Sequence, residues 1–244
     1  MVFAWLLIRK TGNGGLADIV WTLALGATML FFCYAVATPV HGHDVLAALI
    51  AILWTIRLGL PLWRRNVGGP EDARYTALRR QWGDRFMPRL FGFLIIQAVA
   101  ALPLALTGMI AARNPLPLGT LDALGVLVMA IGLWGGHVAD SQLARFKKDP
   151  SQQGKICDVG LWSRSRHPNY FFETMFWSGW PLLALSGGEL TGAFALMGPV
   201  FIYLLLRYVS GEPLVEQHMA RRYGDAFTLY CRRVPPFFPR LFPK

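Results

Sequence analysis

Six stretches of this 244-residue chain stay apolar for long enough to cross a bilayer: 16–38, 44–63, 90–112, 121–144, 170–186 and 190–208. A crossing helix needs about 20 predominantly apolar residues. In hydrocarbon only a helix or a closed barrel pairs every backbone N–H and C=O, and these runs do not alternate as barrel strands do. The expectation is an all-α, polytopic integral membrane bundle of about six to seven transmembrane helices. The uncertain span is the opening "MVFAWLLI", too short to cross alone and without the small-residue cleavage site of a signal peptide. It lies in the interface or belongs to a further span. "HGHD" and "ALSGGEL" read as tight turns, making hairpins of the first two runs and of the last two. No internal repeat or low-complexity tract shows, so 1–244 reads as one domain.

Only 16% of the residues are charged, against about a quarter in soluble domains. The net charge is +10, which in a soluble chain would raise nucleic acid as a partner. Here its placement argues otherwise. Arg9, Lys10, the Arg64–Arg89 and Arg145–Arg166 loops and the Arg207–Lys244 tail hold nearly all the cations, while the opposite loops hold only Arg113. By the positive-inside rule both termini and both basic loops are cytoplasmic, and the charge is topology plus attraction to anionic headgroups. The partners expected are the bilayer and a lipid-like small molecule, with no nucleic acid.

Several chemistries lack their residues. Gly12-Asn-Gly14-Gly-Leu-Ala17 matches a dinucleotide fingerprint, but a membrane run follows where a βαβ unit is required. His41, His43, His137, His167 and His218 are too few and too scattered for a multi-histidine iron centre, and no metal site is expected. GxSxG and HExxH are absent. Cys33, Cys157 and Cys231 suggest neither a disulfide framework nor zinc.

The densest polar chemistry stands at the mouth of an apolar run, in "GLWSRSRHPNYFFE" from Gly160 to Glu173. Arg164 and Arg166 carry forked donors suited to phosphates. Pro168 holds His167 extended and pre-sets a helix start, whose free N–H groups would add to an anion site. Glu173 enters the run itself, where a short-stemmed carboxylate is costly unless it faces the bundle interior. Asp18, Arg57 and Asp140 lie within or at the ends of other runs, where snorkelling to the interface is the simpler account. "EDARYTALRRQWGD" places Tyr75, Leu78 and Trp82 on one helical face, and "PLVEQHMARRYGDAFTLYCRR" reads as a second amphipathic helix. The juxtaposition suits a large anionic cofactor on the cytosolic side and an apolar substrate in the bilayer.

These residues resemble the signature of the steroid 5α-reductase family, in particular its bacterial membrane branch. "ADIVW", "LWTIRLGLPLWRR", "EDARY", "WGD", "ADSQLARFKK" and "VSGEPLVEQHMARRY…FTLYCRRVPPFFP" extend the match over nearly the whole chain. The resemblance implies an NADPH-dependent reductase of a carbon–carbon double bond conjugated to a ketone, acting on a steroid-like lipid in a bacterial inner membrane. It implies a cofactor site mainly within 137–244, at Asp140, Arg145, Lys147, Asn169, Glu173, His218, Arg222 and Tyr223, with Arg164, Arg166, His167 and Tyr170 in the same signature. The family's usual Gly before the signature Glu is Phe172 here. Its ketone-holding Glu and Tyr from the N-terminal half have no direct match, and Arg57 and Tyr75 are the candidates for that catalytic role. Two other readings stay open. One is an S-adenosylmethionine-dependent methyltransferase of a lipid or isoprenoid carboxylate, through the related isoprenylcysteine methyltransferases. The other is a non-enzymatic lipid-binding or transport protein.

Overall fold

In a computed structural model the described residues are 1–35, 41–186 and 190–240, and among them no strand occurs. The chain forms two compact units, Met1–Leu121 with Leu183–Met197, and Asp122–Leu182 with Gly198–Lys244.

The first unit opens with α1 (Val2–Thr11), ended by Gly12 in the left-handed region, φ 74°. The turn into α2 (Leu16–Ala35) is tight, since a Cβ on Gly14 would lie 2.5 Å from the Tyr75 side chain. Helix α3 (Gly42–Asn66) begins inside "HGHD", with His41 and Asp44 forming a reciprocal cap. That segment is therefore a helix start rather than a turn, and 36–40 lie outside the described residues. Helices α2 and α3 pack along one another, and α1 packs on α2 and α5 (Phe86–Ala100). The predicted amphipathic segment is α4 (Ala73–Trp82), and its Tyr75, Leu78 and Trp82 do share an apolar face. They join Ala4, Ile8, Phe86 and Leu90 in one cluster, so α4 is docked on its neighbours.

The third apolar run bends where α5 passes into α6 (Leu102–Ala112). Pro103 has no N–H for the Val99 carbonyl, and the Ala101 N–H is shared between Gln97 and Ala98. The loop before α4 is stitched by charge. Asp72 caps α4, and Arg74 and Arg65 reach its carboxylate at 3.1 Å. Burial alone would push this carboxyl up, but Arg74, with help from Arg65, holds it below the usual range. Glu71 accepts the Gly14 N–H at 2.9 Å and pairs with Arg79 at 2.8 Å. Its carboxyl is likewise held low despite burial.

The second unit is built on α7 (Thr120–Lys148), which passes into α8 (Pro168–Ser178) through short 3₁₀ turns. The predicted run 170–186 is the point of departure. It folds as α8 and the brief α9 (Trp180–Leu185), so among the described residues five segments, not six, are long and apolar enough to cross. Pro181 cannot donate to Trp177, and 3₁₀-type bonds at Gly179 and Leu182 break the helix there. After 187–189, outside the described residues, the chain continues through α10 (Met197–Leu204), a π-turn at Leu205–Val209, α11 (Glu212–Tyr223) and α12 (Asp225–Arg233). The second amphipathic segment is thus two helices, broken at Gly224 with φ 51°.

Glycines bring α7 and α8 into backbone contact. A Cβ on Gly132 would sit 2.6 Å from the Phe176 nitrogen and 2.8 Å from the Phe172 oxygen. Gly132→Ala should therefore destabilise by about 1–3 kcal/mol, because rigid backbone has to move. Gly92→Ala on α5 meets nothing within 4 Å. It should instead stabilise by about 0.5–1 kcal/mol through helix propensity. Thermal unfolding in one detergent compares the two, and equal effects would deny the close approach.

Candidate functional site

Gly160 starts the site's loop with φ 58°, a conformation that a side chain would strain. The loop folds back on α7 through Leu161 N–H to Gln142 at 2.9 Å and Trp162 Nε1–H to the Ala139 carbonyl at 2.9 Å. Tyr230 of α12 donates to the Trp162 carbonyl at 2.6 Å. The two arginines of "SRSRHP" then diverge. Arg164 is exposed, whereas Arg166 turns inward.

The Arg166 Nε donates to Glu216 at 2.6 Å, and its Nη1 donates to the Val234 and Cys231 carbonyls at 2.9 and 3.3 Å. Its Nη2 lies 3.8 Å from Glu212, whose Oε1 also accepts from Arg207 at 2.6 Å. His167, 5% exposed, places Nε2 at 3.2 Å from the same Glu216 oxygen and stacks on Tyr170. Glu212 and Glu216 lie one turn apart on α11, so one helical face presents both carboxylates. A buried ion cluster of this kind adds little net stability but fixes geometry firmly, since losing one partner strands the others. The ligand atoms of His167, Glu212 and Glu216 fall within 4.8 Å of one another, a spacing fit for a metal ion. Two guanidiniums already neutralise those carboxylates, and a cation entering there would meet Arg166 and Arg207.

This clamp sets the start of α8. At the start of α8 the Tyr170 and Phe171 N–H groups both bond the His167 carbonyl, so neither of these two is offered to an anion. What α8 presents instead is a polar stripe at helical spacing. Asn169 donates to Asp140 at 3.3 Å, and one turn on Glu173, half-buried, accepts Trp177 Nε1–H at 3.0 Å. Arg145 and Lys147 extend from the last turn of α7 and are exposed, as are His218 and Arg222 on α11. Tyr223 packs with Phe227, Tyr230 and Val234. Asp140, Asn169, Arg166, His167 and Tyr170 are therefore joined by direct contacts or chain adjacency, and exposed cations lie further along α7 and α11.

Arg57 and Tyr75 belong to the first unit. Arg57 is half-buried in α3. Tyr75, 2% exposed, donates its hydroxyl to Asp18 at 3.1 Å, and Arg74 pairs with the same carboxylate. Asp18 is thus partnered across the unit rather than snorkelling.

Sequence reading passed over Glu212, Glu216, Arg207 and Ser165. The signal for the first two was present: "GEPLVE" carries two carboxylates four residues apart on a segment otherwise rich in arginine.

Comparison with known proteins agrees with the signature. A family described as "Protein of unknown function (DUF1295)" matches residues 4–234. Delta(14)-sterol reductase TM7SF2 of Mus musculus is 29% identical over 164 residues, 59% of this chain and 37% of that protein. Steroid 5-alpha-reductase DET2 of Gossypium hirsutum is 37% identical over 62 residues, 25% of this chain and 24% of that protein. Probable O-methyltransferase ustE of Ustilaginoidea virens is 40% identical over 70 residues, 29% of this chain and 24% of that protein. The chain therefore spans less than two-fifths of the length of each of these curated relatives. No solved structure matches. The resemblance to steroid 5α-reductases and the all-α membrane fold are both borne out.

Proposed function

The chain belongs to the DUF1295 family, and from that premise we propose that it is an integral membrane reductase acting on a double bond in a steroid-like lipid, with NADPH as the hydride donor. The observation that carries this reading is the polar stripe Asp140–Asn169–Glu173, whose α8 residues follow Arg166 and His167 of the Arg166–His167–Glu216 clamp in the chain, with exposed cations on α7 and α11.

The donor set fits the cofactor. Arg145, Lys147, Lys148, Arg164, Arg221 and Arg222 are exposed and suit phosphate oxygens. The Asn169 amide and the Glu173 carboxylate offer a donor and an acceptor for ribose hydroxyls or a carboxamide. Arg166, His167 and Tyr170 act in this proposal by orienting α8. When bound, NADPH supplies a hydride to the β-carbon of a ketone-conjugated alkene. On the substrate side Tyr75 is the candidate proton donor, its hydroxyl turning from Asp18 to the substrate, and Arg57 is the second candidate for steadying the developing enolate. In this reading the basic loops and both termini face the cytosol of a bacterial inner membrane, which follows from the charge distribution and requires the broken segment α8–α9 to cross with the five longer ones.

The similarity to an O-methyltransferase favours one competing reading, S-adenosylmethionine as cofactor. Charge separates the two, since S-adenosylmethionine carries no phosphate. Calorimetric titration of purified protein is expected to show NADPH binding about ten- to several-hundredfold tighter than NADH. One or two charge-assisted bonds to the 2′-phosphate, worth roughly 1.5–3 kcal/mol each, give that range. Equal affinities would remove the phosphate argument. Tight binding of S-adenosylmethionine alone would establish the methyltransferase instead.

A further inference from the structure

Residues 234–240 run without helix beside the signature loop and are stitched to it by backbone. The Arg166 N–H donates to the Pro235 carbonyl at 2.9 Å, and the Arg240 N–H donates to the Arg164 carbonyl at 3.0 Å. Between these two bonds sits Ser165, 0% exposed. Its Oγ donates to the Phe237 carbonyl at 2.7 Å and accepts the His167 N–H at 3.2 Å. The strap is anchored in turn by the Phe237 ring, 2% exposed, 5.0 Å from the Tyr203 ring and 6.4 Å from that of Phe171.

We infer that Ser165 is a positioning residue, and that with the strap it sets the register of α8 at the cofactor site. The argument is one of satisfaction. A single oxygen serves a buried donor on one side and a buried carbonyl on the other. Removing it orphans both, and an unpaired buried backbone group is costly. His167 is the cap residue of α8, so the orphaned N–H stands at the helix entry. Asn169 and Glu173 follow within two turns, and the Asn169–Asp140 bond at 3.3 Å leaves little tolerance for displacement. This inference rests on the cofactor reading above, because it assigns to Ser165 an effect on that ligand's affinity.

The test is a double-mutant cycle on the full chain in nanodiscs, with Ser165→Ala, Phe237→Leu and the pair. NADPH affinity, amide exchange at His167 and melting temperature are the three readouts. Ser165→Ala is expected to weaken NADPH about tenfold, 1.4 kcal/mol by the standard conversion, and to speed His167 exchange about tenfold. Phe237→Leu should act in the same direction, and the double variant should be no weaker than the worse single. Faster exchange with unchanged NADPH affinity would reduce Ser165 to a structural residue and overturn the inference. Additive losses would overturn the link to the strap. Absence of NADPH binding by the wild type sinks the cofactor reading instead. Unaltered His167 exchange in Ser165→Ala would then sink the positioning claim by itself.

Discussion

Glu216→Ala is expected to lower stability by about 3–5 kcal/mol and to abolish cofactor binding at micromolar protein. The side chain accepts from Arg166 at 2.6 Å and from His167 at 3.2 Å, and the Arg166 side chain is only 11% exposed. Without Glu216 the guanidinium stays buried beside Glu212, which Arg207 already engages. The loss is then the cost of a stranded charge, well beyond the worth of one contact. Glu216→Gln keeps an acceptor for Nε and should lose roughly half as much. Asp158→Ala removes the exposed Arg233 pair, with side chains 67% and 40% exposed, and should cost under about 1 kcal/mol. Denaturant unfolding in mixed micelles orders the three. A Glu216→Ala variant as stable as Asp158→Ala would show that the clamp is decorative.

Tyr75→Phe should lower turnover by about 10²–10⁴ while leaving NADPH affinity within twofold, the range expected when a general acid is removed. The hydroxyl donates to Asp18, and Arg74 pairs with that carboxylate and with Asp72. At rest the hydroxyl's one proton is directed at Asp18, so protonation of a substrate requires the hydroxyl to turn from that carboxylate. Asp18→Asn keeps an acceptor but removes the charge that orders Arg74, and should lower turnover less than Tyr75→Phe. NADPH oxidation with a panel of steroid and prenyl enones, scored beside melting temperature, reads both variants. If Tyr75→Phe turned over substrate like wild type, Tyr75 would be a packing residue joining α2 to α4, and Arg57 would become the leading candidate.

Much of the scaffold was legible in the chain because lipid removes alternatives. An apolar run of about 20 residues must close its own hydrogen bonds, so helix follows from length and composition. The breaks were harder to read. Pro103 and Pro181 are plain in the sequence, yet only the second splits a predicted span into pieces too short to cross. The difference lies in the helix around each break: the helical segment Arg74–Ala112 runs 39 residues through the first, whereas α8 and α9 have only 11 and six. The start of α8 at Pro168 was readable from its proline. That the Tyr170 and Phe171 N–H groups both turn to the His167 carbonyl was not.

What the sequence determined by itself was everything that depends on near neighbours or on the solvent: helical class, the clustering of charge outside the apolar runs, the signature and its entry into an apolar run. What the tertiary structure decided was the use of each charge. Arg164 and Arg166 stand two residues apart with the same chemistry, yet one is exposed and the other is held by Glu216, fifty positions away. Asp18 reads as an end-anchor until Arg74 and Tyr75 close on it from 56 and 57 positions away. A buried ion is stable only where a counter-charge and hydrogen bonds meet it, and packing, not local pattern, brings those partners.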